Sequence, residues 1–218
     1  GAGGGASLTY ESINNDILFA PDFYAYRRGK LLNDKMEGIS WYKRFVIAHY
    51  TDIHNYYDLF GQGLKVMQDK ANVVVNCGDD SRGITADDAA TVKSDLSQMM
   101  GVVNRVNTLP YIPNVGNHDF TGLTKKEYFD IVCAGLTDVV WGDAENYRIY
   151  GYVDFAGSDY QGDYRVIVLD PCDYNDGQYS NPYYNAYVVF SQKQIDWLIA
   201  TLEDAANKGL NVITTMHY

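Results

Sequence analysis

An α/β fold is predicted by three observations in this 218-residue sequence. Apolar runs of strand length end in short polar turns, the segments between them carry helical spacing, and no proline-rich linker or internal repeat divides the chain. With 46% apolar and 21% charged residues, the length suits one large domain better than two small ones. We assign that domain to residues 41–218. Residues 1–40 read as an N-terminal arm: 1–7 are Gly/Ala-rich like a linker, and 8–40 mix aromatic and polar residues without a period.

The elements follow in order. Residues 44–50 (RFVIAHY) are a mostly apolar run, as expected of a strand buried on both faces, and deliver Thr51-Asp52-Ile53-His54 at their C-terminal end. A short helix around 60–70 leads to a second buried strand at 72–77 (NVVVNC), which delivers Gly78-Asp79-Asp80; together these form a βαβ unit. Val92, Leu96, Met99, Val103 and Val106 recur at helical spacing, with Thr85 as N-cap and Asp87 and Asp88 in the first turn. A third strand at 111–115 is crowned by Gly116-Asn117-His118-Asp119. Residues 147–152 and 164–170 read as an antiparallel pair. Ser191 and Gln194 read as a capping box for a helix whose apolar face is Ile195, Leu198, Ile199 and Leu202, stopped by Gly209. A last strand at 210–216 ends in His217.

Composition excludes several classes. Lys plus Arg total 17 against 28 Asp plus Glu, a net charge of -11, which opposes non-specific binding to nucleic acid or anionic membranes. Cys77, Cys133 and Cys172 are too few and too widely spaced for a disulfide framework or a thiolate zinc site. No run approaches the roughly 18 apolar residues of a membrane span, and residues 1–6 lack the order of a signal peptide. The compartment stays open, with the arm and the acidic composition rich in tyrosine (20 residues) leaning toward an extracytoplasmic, virion or surface-associated setting.

Of the four histidines, His54, His118 and His217 stand just past strand C-termini, where a parallel α/β sheet faces its ligand crevice, and Asp52 and Asp79 hold equivalent places. Carboxylate plus imidazole without thiolate suits borderline divalent metals such as manganese, iron, zinc or nickel. His49, inside the first strand, reads as a packed or hydrogen-bonded core residue, Cys77 as a small buried hydrophobe, and Asp80 as structural.

The DxH of Asp52-Ile53-His54, the GD of Gly78-Asp79, the GNHD at 116–119 and the strand-terminal His217 resemble, in order, the motifs of the calcineurin-like metallophosphoesterases. The resemblance spans about residues 44–218. It implies a four-layer α/β/β/α sandwich of two mixed sheets flanked by helices, with the site at the strand C-termini. It further implies two metal ions, Asp52, His54 and Asp79 holding one and Asp79, Asn117 and His217 the other, with Asp79 bridging. A metal-bound hydroxide would attack a phosphoric mono- or diester while His118 serves as general acid, and Asp119 would orient that ring or its loop. The substrate class is then a phosphorylated small molecule or a phosphodiester.

Arg82, three residues after Asp79, is a candidate phosphate clamp or a solvated loop charge. It stands where purple acid phosphatases carry the tyrosine of GDxxY, and residues 78–83 fall one short of the GDxxDRG of the serine/threonine phosphatases, so neither branch is supported. Tyr183, Tyr184 and Tyr187 are a candidate aromatic rim. The family's later GHxH has no match here, from which the domain is expected to continue past Tyr218. The alternative to an enzyme is a non-catalytic binding or structural module on the same fold, motivated by the arm.

Overall fold

A computed structural model describes residues 45–156, 162–173 and 190–217. The arm at 1–40 and the aromatic cluster of Tyr183, Tyr184 and Tyr187 lie outside the described residues. Strand β1 (Ile47–Tyr50), β2 (Val73–Asn76) and β3 (Tyr111–Pro113) pair in parallel, in that order. Their crossovers are helix α1 (Tyr57–Met67) and helix α2 (Ala89–Val106), the latter entered through a single 3-10 turn, Ala86–Asp88. Thr85 and Asp88 close a reciprocal capping box on that turn, the Asp88 carboxylate accepting the Thr85 N–H at 2.8 Å. After β3 comes α3 (Lys125–Tyr128), which widens into a π-helical turn, Phe129–Cys133.

The second sheet orders β4 (Val140–Trp141), β5 (Gly151–Phe155), β6 (Tyr164–Val168) and β7 (Asn211–Thr215) side by side. The first two pairings are antiparallel and β6 with β7 is parallel, the crossover being α4 (Gln192–Asn207). Among the described residues the mixing of directions is thus confined to the second sheet.

Alternation along the strands sets the layers. Val73, Val75 and Ile112 of the first sheet meet Val153, Phe155, Val166 and Val168 of the second in one apolar cluster between the sheets. Ala48, Val74 and Tyr111 point the other way, onto Leu64 of α1 and Val92, Leu96, Met99 and Val103 of α2. On the outer face of the second sheet Arg165 is fully buried. Its Nη1 donates to the Thr201 carbonyl of α4 (2.8 Å), its Nη2 to Asp204 (2.8 Å), and its fork to both oxygens of Asp154 (2.7 Å each). The order helix, sheet, sheet, helix is the expected sandwich.

Four local expectations are corrected. Helix α4 buries Gln194, Thr201 and Ala205, while Ile195, Ile199 and Leu202 stay exposed. The sheet face beneath it presents Arg165 and the Asp170 turn beside the buried Ile167, so polar as well as apolar side chains turn inward. For the same reason the capping box is half-formed: the Ser191 hydroxyl accepts the Gln194 N–H (3.1 Å), but the Gln194 amide pairs with the Asp170 backbone (2.9 and 2.8 Å). Strand β5 starts at Gly151, because Tyr147 adopts φ 57° after a 3-10 turn, and the Arg148 guanidinium is drawn to Asp173. His49 is exposed, its Nε2 lying 3.1 Å from the buried Cys77 Sγ.

Asp95, fully buried on α2, holds the loop after β2 through the Arg82 N–H (3.1 Å), Nε (2.9 Å) and Nη2 (2.7 Å). Burial raises the Asp95 pKa, but the hydrogen bonds led by Arg82 outweigh it and hold the carboxyl below its ordinary range. Its folded pKa being depressed, Asp95 contributes stability above about pH 4, lost as pH falls through the folded value. Asp95→Asn should destabilise by about 2 kcal/mol at pH 7. In urea unfolding the gap to wild type should narrow between about pH 5 and pH 3.

Candidate metal centre

The C-terminal ends of β1, β2 and β3 are laced together before any side chain is considered. Cys77 donates its N–H to the Tyr50 carbonyl (2.7 Å), Asp52 to Gly78 (2.9 Å) and His54 to Asp79 (2.9 Å). Asp52, His54 and Asp79 all occupy the left-handed region, with φ of 54°, 50° and 59°. Each costs about 1–2 kcal/mol in an L-residue, and Asp and His are among the types that tolerate it best. Gly78, at φ 87°, and Gly116 are required by close approach. A Cβ on Gly78 would meet the Gly116 nitrogen at 2.4 Å, and one on Gly116 would meet the Asp79 nitrogen and Oδ1 at 2.2 Å. The glycines of the GD and GN motifs therefore face each other across a gap with no room for a methyl group.

Asp119 explains how that gap is held shut. Its buried carboxylate accepts the N–H groups of Asp79 (2.8 Å) and Gly116 (2.9 Å) on Oδ2, and of Asp80 (2.7 Å) and Ser81 (2.9 Å) on Oδ1. Of the two roles expected for Asp119, these four bonds are loop contacts.

These turns bring the candidate ligands together. The ligand atoms of Asp52, His54 and Asp79 all lie within 4.8 Å of one another. His217 Nε2 lies 3.3 Å from Asp79 Oδ2 and 3.1 Å from Asn117 Oδ1. His118 Nε2 is 3.9 Å from the same Asp79 oxygen, its main-chain N–H donates to Asp79 Oδ1 (3.0 Å), and its ring stands edge-on to His54 at 5.2 Å.

All three histidines use one device. His54 Nδ1 meets the Ser81 carbonyl (2.8 Å), His118 Nδ1 the Gly83 carbonyl (2.5 Å) and His217 Nδ1 the Cys77 carbonyl (2.7 Å). A carbonyl only accepts, so Nδ1 carries the proton and the lone pair of the neutral ring sits on Nε2. That is the usual second contact of a ligating histidine. The sequence gives no sign of these carbonyls, since they belong to the backbone of Ser81, Gly83 and Cys77. Arg82 is placed differently: the fork that would clamp a phosphate holds Asp95.

The electrostatics favour cations. Asp80 is fully buried beneath the turn, where burial and then the Asp119 charge push its pKa well up against two bonds from Asn76 Nδ2 (2.8 and 2.9 Å). Burial and Asp79 push Asp119 up to about 6, against the N–H donors. Burial would raise Asp79 too, but pairing with His217 holds it low, and Asp79 in turn drives His217 up to about 9 against its own burial. Asp52, Asp79 and the Nε2 atoms that the imidazoles would offer a cation on losing their proton form a hard-to-borderline donor set that divalent cations fit.

Because the missing Cβ of Gly116 is filled by Asp79, Gly116→Ala should cost about 3 kcal/mol in stability. Calorimetric titration with Mn²⁺ should show metal uptake lost in that variant. A model of the calcineurin-like phosphoesterase family matches residues 45–211. No curated protein matches the chain. The family match covers three parallel strands, the two loops knotted by Asp119 and the Asp52, His54, Asp79 group; this chain belongs to the calcineurin-like phosphoesterases.

Proposed function

We propose that this protein hydrolyses phosphoric esters at a two-metal centre. Asp52, His54 and Asp79 would hold one ion, Asp79, Asn117 and His217 the other. The observation that carries this reading is that the Asp79 carboxylate is near two sets of donors: the Asp52 and His54 ligand atoms, all within 4.8 Å of one another and of its own, and His217 Nε2 at 3.3 Å. A single monoanionic carboxylate between two dications offsets their repulsion. When bound, such ions polarise the phosphoryl oxygens and lower the pKa of water toward neutrality, so that no nucleophile from the protein is required.

The chain's own residues supply the rest. His118 is held by its Nδ1 and main-chain N–H with Nε2 toward Asp79, so the imidazolium form can hand its Nε2 proton to the leaving alkoxide. Asn117 adds a neutral amide oxygen, which limits the negative charge around the second ion. The manganese, iron, zinc or nickel alternatives and the choice between monoester and diester belong to the same proposal. Arg82 would act on a phosphate only by giving up its pair with Asp95.

The test is turnover of bis-p-nitrophenyl phosphate and p-nitrophenyl phosphate with added Mn²⁺. Asp79→Asn should abolish activity with both, and equal rates for variant and wild type would overturn the proposal. His118→Ala should lower kcat for an alkyl ester about 10²–10⁴-fold. It should lower the rate far less for p-nitrophenyl esters, whose leaving group departs without a proton.

A further inference from the structure

Resting on the two-metal reading, the geometry points to Asn114 and Thr215 as a positioning pair that sets the distance between the two metal subsites. Asp52, His54, Asp79 and Asn117 all stand on loops of the first sheet. His217 alone comes from the second, at the end of β7. Its alignment with the other ligands therefore depends on how the two sheets are registered at this end of the sandwich.

Asn114 lies immediately after β3 and is fully buried. Its main-chain N–H (2.7 Å) and its Nδ2 (3.0 Å) both donate to the Asn76 carbonyl at the end of β2. Because that carbonyl can only accept, the orientation of the side-chain amide is fixed, and Oδ1 faces the second sheet. There it lies 3.2 Å from the Thr215 hydroxyl. The same hydroxyl is 3.1 Å from the Ile167 carbonyl of β6, so its single proton is shared in a three-centre contact between the two sheets. The Tyr128 hydroxyl, donating to the Asn114 carbonyl at 3.4 Å, braces the residue from α3.

Thr215 is two residues before His217, about 7 Å of extended chain. A shift of the Thr215 anchor is passed to His217 with little slack, and ligand distances tolerate only about 0.2 Å. The Nδ1 contact of His217 with the Cys77 carbonyl fixes the ring direction, whereas the Asn114 contact bears on the strand that carries it. Asn114 and Thr215 touch no proposed substrate atom and ligate nothing, so they act through His217.

The test is calorimetric titration of metal-stripped protein with Mn²⁺. Thr215→Val is the primary variant, since valine keeps the branched shape a strand favours and removes only the hydroxyl. Thr215→Ser is the conservative control and Asn114→Ala the partner variant. In Thr215→Val the tighter Mn²⁺ equivalent should stay within about 2-fold of wild type while the weaker falls about 10-fold or more. Thr215→Ser should restore it. Asn114→Ala should show the same loss, and the double variant should lose little beyond either single one. Both equivalents retained at wild-type affinity in Thr215→Val would overturn the inference. So would an equal weakening of both, which marks a general structural effect. The wild-type isotherm separates this from failure of the two-metal reading: fewer than two ions bound by wild type would overturn that reading, and the positioning role with it.

Discussion

Four backbone N–H groups from two different loops converge on the Asp119 carboxylate, and the rest of the centre is arranged around that knot. A loop that leaves a strand with left-handed residues exposes N–H groups that no ladder can satisfy, and burying them unpaired costs about 1–3 kcal/mol each. One ionised side chain satisfies four at once. It thereby pulls the Gly78 and Gly116 turns to a separation that excludes a Cβ, and the left-handed strain at Asp52, His54 and Asp79 is held by the lacing that follows. The compensating difficulty is charge. Asp119, Asp80 and Asp79 are all buried within the same few turns; Asp79 raises the pKa of Asp119, and Asp119 and then Asp79 raise that of Asp80. Raised pKa values favour the neutral carboxyl, whereas Asp79, held low by His217, keeps its charge beside the candidate ligands, so the knot that shapes the loops also presents the group that favours a cation.

Much of this was legible in the sequence, for a physical reason. Strand-end turns that carry Asp, His, Asn and Gly announce themselves because those residue types are poor choices for a buried strand and good ones for left-handed turns and ligation. The buried helix α2 was also legible, since Val92, Leu96, Met99 and Val103 meet an apolar sheet face and the 3.6 period survives packing. Helix α4 was misread because polar groups lie among its partners: Arg165 spends its guanidinium on Asp154, Thr201 and Asp204, and Gln194 serves the Asp170 backbone. Hydrophobic periodicity assumes an apolar partner, and nothing in the linear order of residues states what the partner will be. The same limit hid Asn114, whose importance lies in contacts to Asn76 and Thr215, the latter 101 residues away.

Arg82 shows how geometry revises a reading based on residue type. An arginine three residues after a candidate ligand carboxylate invites a phosphate-binding role, yet a guanidinium fork is strongest with one planar partner. Asp95 supplies that partner from α2, and with it holds the loop whose Ser81 and Gly83 carbonyls orient His54 and His118. Arg82 therefore contributes to the centre through the backbone it steadies. Loop stiffness matters here because a histidine is a useful ligand or acid only in one tautomer, and the tautomer is chosen by a carbonyl that must not wander.

The three Nδ1 anchors have a further consequence for how the centre assembles. His54 and His118 are oriented by carbonyls of the loop that follows β2, so their rings are set as soon as the first sheet and the Asp119 knot form. His217 depends on the Cys77 carbonyl of the first sheet and on a strand of the second. It can be placed only after the two sheets close on the cluster of Val73, Val75, Ile112, Val153, Val166 and Val168. Apolar burial between the sheets and ligand geometry at their edge are thus coupled, and the coupling runs through few atoms. A repacking of that interlayer core that leaves the first sheet intact would be felt at His217 before it reached Asp52 or His54. The candidate ligands differ in kind: Asp52, His54, Asp79 and Asn117 are fixed by turns of the first sheet, His217 by the packing of the second against it.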